Sequence, residues 1–331
     1  MSKYNIVLDA MGGDNQPDCN IEGAVTALKE NSEIRITLVG DETIIKDKLK
    51  NLEYDKEKIS IVHSTEIITN EDKPTKAFKQ KKDSSIVVGM NIVKNGEADG
   101  FVSAGSTGAV LTASTMIIGR IAGIKRPALG TIMPNTKGYS FLIDCGANVD
   151  AKAEYLHQYA KMGHAYMESV MSVKKPKIGL INVGAEEGKG NALTKEVFYL
   201  LKDDASLNFV GNVEARELPF GVVDVMVCDA FVGNVVLKHT EGMASALLSM
   251  IKDAMMSKPI YKFGAGLAKG AFKDLKENLS YEKYGGAPFL GLNQLVVKAH
   301  GSSSASAISG AINQCYLAAK NNLVENIKSN I

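Results

Sequence analysis

Short β-branched apolar runs alternate with segments of helical period along nearly the whole chain, and this alternation constrains the fold more than any other feature. Strand-like runs fall at 4–9, 34–39, 59–62, 99–103, 128–133, 139–143, 177–182, 208–211, 222–228 and 294–298. Between them, apolar residues recur at helical spacing over 17–30, 107–118, 151–172, 191–203, 234–256, 266–278 and 304–328. Near-continuous apolar runs such as Val222–Cys228 suit a parallel sheet covered by helices on both faces. The expected fold is α/β, a three-layer α/β/α, doubly wound, mostly parallel sheet. Ligands in such sheets collect at the carboxyl ends of strands. The 331 residues allow one large or two medium domains, and no repeat or long linker marks a boundary. Residues 1–331 therefore read as one α/β catalytic unit; two lobes on a shared sheet and two separate beads both stay open.

Charge and cysteine usage exclude several function classes. Lys plus Arg total 38 against 37 Asp plus Glu, so no global field gathers a nucleic acid, and none is expected as a partner. Cys19, Cys145, Cys228 and Cys315 are widely spaced with no CxxC pair, which fits neither a disulfide framework nor a structural zinc site. A reducing cytoplasm is the expected location. No export signal precedes the strand-like run at Tyr4, and nowhere do 18 apolar residues run together, so no membrane span is expected.

The 31 glycines gather where strand-like runs end. Met11-Gly12-Gly13-Asp14, Gly105-Ser106-Thr107-Gly108, Cys145-Gly146-Ala147-Asn148, Gly184-Ala185-Glu186-Glu187-Gly188-Lys189-Gly190, Phe231-Val232-Gly233-Asn234 and His300-Gly301-Ser302-Ser303-Ser304 occupy such turns, most of them opening into a helix. A glycine turn at a helix N-terminus aims unpaired N–H groups and the positive end of the helix dipole at one spot, an anion or oxyanion site. Any single turn is as well explained by a need for positive φ. Their recurrence beside small hydroxyl and amide residues points to a shared polar pocket.

Nucleotide motifs come close and fail. The segment Gly184–Lys189 is one residue short of a P-loop, and Glu186 and Glu187 would repel a triphosphate. Asp9-Ala10-Met11-Gly12-Gly13-Asp14 is not GxGxxG, and Gly264-Ala265-Gly266 with Gly270 follows no strand. No cofactor is expected. His63, His157, His164, His239 and His300 show no metal spacing, and no carboxylate cluster demands magnesium, so no metal is expected either. His300 stands apart, ending the last strand-like run directly before a Gly-Ser turn, and is a candidate substrate contact. With no GxSxG elbow and with Cys145 reading as a small buried hydrophobe, no covalent nucleophile is assigned. Asp9, Asp14 and Asp229 default to structural roles.

IVLDAMGGD (6–14), SAGSTGA (103–109), DCGAN (144–148), INVGAEEGKGN (181–191), GNVEAR (211–216), DVMVCDAFVGNVVLK (224–238), YGGAPFLGL (284–292) and HGSSS (300–304) follow one another along the chain, with Lys81–Ser85 as a further piece. In these blocks the chain resembles the bacterial phosphate acyltransferases called PlsX. Ser106 stands where that pattern usually has Asn, and Ala230 where it usually has Gly. The resemblance implies a fold like isopropylmalate dehydrogenase and phosphotransacetylase, in homodimers. It implies transfer of a long-chain fatty acyl group from acyl carrier protein to inorganic phosphate, giving acyl phosphate for phospholipid synthesis. A downstream membrane glycerol-3-phosphate acyltransferase would take the product. A phosphotransacetylase acting on short acyl-CoA and a non-catalytic lipid-binding or regulatory protein of the same fold are the competing readings.

Phosphate dianion is a competent nucleophile near neutral pH and a thiolate a tolerable leaving group, so such a reaction needs positioning and oxyanion stabilisation more than an activated side chain. Direct attack without a covalent enzyme intermediate is the expected route. Lys189 is expected to neutralise phosphate, Asn234 to donate to the oxyanion, and His300 to protonate the departing sulfur. Gly12, Gly13, Asp14, Gly105, Ser106, Thr107, Gly108, Asn148, Gly184 and Gly233 are expected to bind substrate or phosphate through the glycine turns. Asn234 is almost equally readable as a helix N-cap, and Lys189 as a solvated lysine.

Two surfaces complete the reading. Lys73, Lys76, Lys79, Lys81 and Lys82 form a basic patch without an acid, suited to an acidic carrier protein or simply solvated. Residues 240–282 read as a protruding amphipathic helical hairpin with apolar stripes Met243, Leu247, Leu248, Ile251, Met255 and Leu267, Ala271, Phe272, Leu275, Leu279, separated by 257–264. Ile260, Phe263 and Leu267 are the expected contacts, either in a dimer interface or peripherally on an anionic membrane.

Overall fold

The computed structural model describes residues 2–279 and 285–331, with side chains as far as Leu275 in the first segment. Among these described residues eleven strands form a single sheet: β1 Tyr4–Asp9, β2 Ile34–Gly40, β3 Ile59–His63, β4 Gly100–Ser103, β5 Ala128–Asn135, β6 Gly138–Ile143, β7 Lys177–Asn182, β8 Asn208–Glu214, β9 Val225–Val227, β10 Gly286–Leu290 and β11 Leu295–Ala299. Their order is β3-β2-β1-β4-β11-β10-β5-β6-β9-β7-β8. The flanks β3-β2-β1-β4-β11 and β6-β9-β7-β8 are parallel, while β10 runs antiparallel to both neighbours and β5 antiparallel to β6. Two parallel halves thus share one continuous sheet through an antiparallel centre.

The helices are α1 Asp18–Glu30, α2 Glu42–Leu49, α3 Pro74–Gln80, α4 Ser85–Lys94, α5 Thr107–Ala113, α6 Ala153–Ser169, α7 Ala192–Lys202, α8 Ala230–Met256, α9 Pro259–Leu267, α10 Lys269–Leu279, α11 Ala305–Lys320 and α12 Leu323–Asn330. Alternate strand residues feed opposite cores, as the pleat requires. Ile6 and Leu8 of β1 pack with α1 and α11, while Val7 packs with α4 and α5. Phe141 and Ile143 of β6 join the first core, where Phe141 stacks on Tyr166 of α6 at 4.2 Å, and Leu142 joins the second. Helices on both faces of a mostly parallel sheet make the three layers.

Departures from the sequence reading have local causes. β10 carries Pro288 and two small residues at its start, a pattern that demotes a strand, yet it sits in the middle of the sheet. The helical run 304–328 divides because Asn322 takes a left-handed conformation, φ 52°, between α11 and α12. The break expected over 257–264 is itself helical, because Pro259 starts α9 at the position where a missing N–H costs nothing. Residues 280–282 of the expected hairpin, Tyr284 of the YGGAPFLGL block and the Leu279 side chain lie outside the described residues.

Candidate active site

Strands β1, β4 and β11 are parallel neighbours, so the turns at their carboxyl ends emerge side by side. The Asp14 N–H donates to the Gly301 carbonyl at 2.7 Å. Gly13 has φ +95°, and a Cβ there would lie 2.9 Å from both Ala104 Cβ and the Gly301 oxygen. Only glycine allows the three backbones to approach in this way. Beneath them Asp9 is fully buried, accepting from Ser103 Oγ at 2.7 Å and the Met11 N–H at 3.0 Å, while Ser103 Oγ accepts from the Gly105 N–H at 3.0 Å. Burial pushes the Asp9 carboxyl up against the pull of those donors. Asn20, on α1, holds the turn from behind by donating to the carbonyls of Ala10 at 3.0 Å and Gly12 at 2.8 Å.

The opposite wall is built on Asp144, also fully buried, at the end of β6. Its carboxylate accepts from the N–H groups of Leu129 (3.2 Å), Gly146 (3.0 Å), Ala147 (2.9 Å) and Asn148 (2.9 Å), and from Asn148 Nδ2 (2.8 Å). The N–H groups of this glycine turn therefore close on their own aspartate. Asn148 Nδ2 also donates to Pro127 O at 2.7 Å, bracing this expected substrate ligand within the wall, and the residue does not border the cleft. Gly233 has a similar role: a Cβ there would collide with the Asp144 carbonyl oxygen, so its absence seats the first turns of α8 against β6. The N-cap of α8 is Asp229, which accepts from the Val232 N–H at 2.9 Å. Asn234, one turn further on, is freed from capping and faces the space between the walls.

That space is a cleft of about 470 Å³, bordered by Thr107, Cys145, Gly146, Asn234, Lys238, Lys298, His300 and Ser302 among others. The N-terminal turns of α8 and α11 open onto it, as does the first residue of α5. Lys238 Nζ lies 2.8 Å from Glu241 Oε2 and 3.4 Å from His300 Nε2, and His300 Nδ1 lies 2.8 Å from Ser302 Oγ. Burial, and next the Lys238 charge, hold His300 below the usual imidazole range, so the ring is neutral at pH 7. The Lys298 side chain is buried, its Nζ donating to Ala104 O at 3.3 Å and to Ala299 O. Burial brings its pKa down to about 8. The Cys145 thiol is pushed well above its ordinary value by burial and by Asp144, which suits an inert wall and not a nucleophile.

The cleft thus gathers Asn234, His300 and Thr107. Gly12, Gly13, Asp14, Gly105, Ser106 and Gly108 are not among the residues that line it. Gly184 and Lys189 belong to the turn after β7, which β9 separates from β6. Lys189 is exposed, its carbonyl accepting from Asn182 Nδ2 at 3.2 Å, and neither residue borders the cleft. The cations that border the cleft are instead Lys238 and Lys298. Both had a visible signal. Lys238 follows Asn234 by one helical turn, and Lys298 interrupts the apolar run LVVKA two residues before His300.

Beside the cleft, Pro74 of α3 packs on Gly108 of α5. Lys73, Lys76 and Lys79 are exposed there, Lys82 lies 4.3 Å from the Phe78 ring, and Lys81 is paired with Asp72 at 2.6 Å. The expected membrane or dimer residues Ile260, Phe263 and Leu267 of α9 are 69%, 68% and 77% exposed. Among the described residues no helix is long and apolar enough to cross a membrane.

A family model described as fatty acid synthesis protein matches residues 4–326. The phosphate acyltransferase of Clostridium perfringens (strain SM101 / Type A) is 48% identical over 326 residues, 98% of this chain and 96% of its own. That of Clostridium novyi (strain NT) is also 48% identical, over 98% of each chain. Among solved structures, a phosphotransacetylase from Streptococcus pyogenes superposes with a TM-score of 0.62 at 19% identity, covering 95% of this chain and 94% of that one, a likeness of fold.

Proposed function

This chain belongs to the fatty acid synthesis protein family, the PlsX phosphate acyltransferases, and from that premise we propose that its cleft joins the fatty acyl group of an acyl carrier protein thioester to inorganic phosphate. The observation that carries the reading is the meeting of helix N-termini, glycine turns and Lys238 around one cleft with no activated nucleophile among the described residues that line it. Phosphate supplies its own nucleophile. Lys238 and the α8 N-terminus hold the dianion, and Asn234 with the first turn of α5 donates to the carbonyl oxygen as it becomes negative. Neutral His300 accepts the Ser302 N–H on Nδ1 at 3.2 Å, so its Nε2 carries the ring proton, 3.4 Å from Lys238 Nζ at the cleft.

The exposed lysines of α3, packed on the helix that opens at the cleft, are the proposed dock for the acidic carrier protein. The apolar residues Met243, Leu247 and Met250 on α8, with Ile260, Phe263 and Leu267 on α9, are exposed on the single chain. We assign this surface to a homodimer partner and to the membrane that holds the acyltransferase consuming the product.

Purified protein with long-chain acyl carrier protein and phosphate should release acyl phosphate. Release only from short acyl-CoA would favour a phosphotransacetylase, and no thioester cleavage would favour a non-catalytic lipid-binding role.

A further inference from the structure

We propose that Lys298 is the catalytic proton donor to the leaving sulfur, a role that rests on the acyl-transfer reading above. The residue comes from the end of β11, and its side chain reaches the cleft from beneath the three joined turns. Ala104 O and Ala299 O take two of the ammonium hydrogens and fix its direction. The third has no hydrogen-bond partner among the described residues, and Lys298 borders the cleft. The other basic groups there serve less well. His300 is neutral at pH 7, and Lys238 is more exposed and already paired with Glu241 at 2.8 Å.

The groups facing Lys298 are Asp9 and Asp14 from the first turn, Lys238 and Glu241 from α8, and His300 beyond β11. Burial and Lys238 lower its proton affinity, and the two aspartates partly restore it, leaving a pKa of about 8. That lies close to an ordinary thiol, about 8.5, where proton transfer to a departing thiolate is nearly balanced. In the step, an oxygen of hydrogen phosphate bonds to the acyl carbon and the carbon–sulfur bond breaks with its electron pair going to sulfur. The Nζ proton moves to that sulfur, giving free thiol and a neutral amine. The remaining P–OH of the acyl phosphate is more acidic than the lysine and returns a proton to it.

Leaving-group dependence tests this role. Wild type, Lys298→Met and Lys298→Arg are assayed with pantetheinyl and phenyl thioesters of the same fatty acid, the thiophenolate needing no proton to leave. Both variants should lose about 10²–10⁴-fold on the pantetheinyl ester but stay within roughly tenfold of wild type on the phenyl ester. Arginine keeps the charge and the carbonyl contacts but cannot release a proton, so it should not rescue. The alkaline fall of wild-type kcat/KM near pH 8 should disappear with the phenyl ester. Equal losses on both esters, or full rescue by arginine, would assign Lys298 a structural role and overturn the proposal. An inactive wild type would instead overturn the acyl-transfer reading on which it rests.

Discussion

The Asp14 N–H and the Gly301 carbonyl, 2.7 Å apart, join the turn after the first strand to the turn after the last, and Gly13 is the residue that lets them meet. A side chain at Gly13 must strain a positive φ and displace Ala104 or Gly301. Gly13→Val is expected to lower unfolding free energy by roughly 2–4 kcal/mol, measured by denaturant titration, and to reduce turnover well beyond the loss in folded fraction. Unchanged stability would mean the three turns are not locked together.

Asn234 and Lys189 make a paired comparison. Asn234→Ala removes a proposed oxyanion donor and should lower kcat about 10²–10³-fold with little change in melting temperature, because Asp229 keeps the cap. Lys189→Ala, in the turn beyond β9, should stay within about tenfold of wild type. Steady-state assays at saturating phosphate decide between the cleft and the β7 turn; the reverse ranking would return the phosphate site to the latter.

His300 should titrate below the usual imidazole range, because burial and then the Lys238 charge disfavour its cation. Its folded-state affinity for a proton is below that of the unfolded chain, so stability falls as pH drops through the ordinary histidine range and is not lost on the alkaline side. NMR titration of the ring should show the low midpoint in wild type and a rise toward the ordinary value in Lys238→Ala. An unshifted midpoint in wild type would separate the two side chains.

The α9 surface makes its own prediction. Ile260→Asp with Phe263→Asp should abolish pelleting with anionic liposomes while acyl phosphate release from soluble thioester persists, since both residues are exposed and neither borders the cleft. Equal pelleting of variant and wild type would leave the dimer as the cover for this face.

Strand positions were legible because each carries its apolar run locally, whereas β10 was hidden by Pro288 and by drawing its partners from both halves of the chain. The same distinction governs the site. His300 and Asn234 could be read from the turns that hold them, but which turns meet depends on strand order. Lys189 shares the local signature of the others, and only the placement of β9 between β6 and β7 sets it apart. Asn148 reads as a ligand because its amide is small and polar; one of its Nδ2 bonds, to Asp144, stays within its own turn, while the other, to Pro127, is tertiary. Lys238 and Lys298 went unread because a lysine on a helix face or inside a strand is usually judged by its own element, not by the cleft it enters.

The most direct test of the account is a crystal structure grown with millimolar inorganic phosphate. The account predicts the anion in the cleft, within hydrogen-bonding reach of Lys238 Nζ and the first turns of α8. Phosphate bound instead at Lys189 and the 184–190 turn, with the cleft holding only solvent, would contradict it.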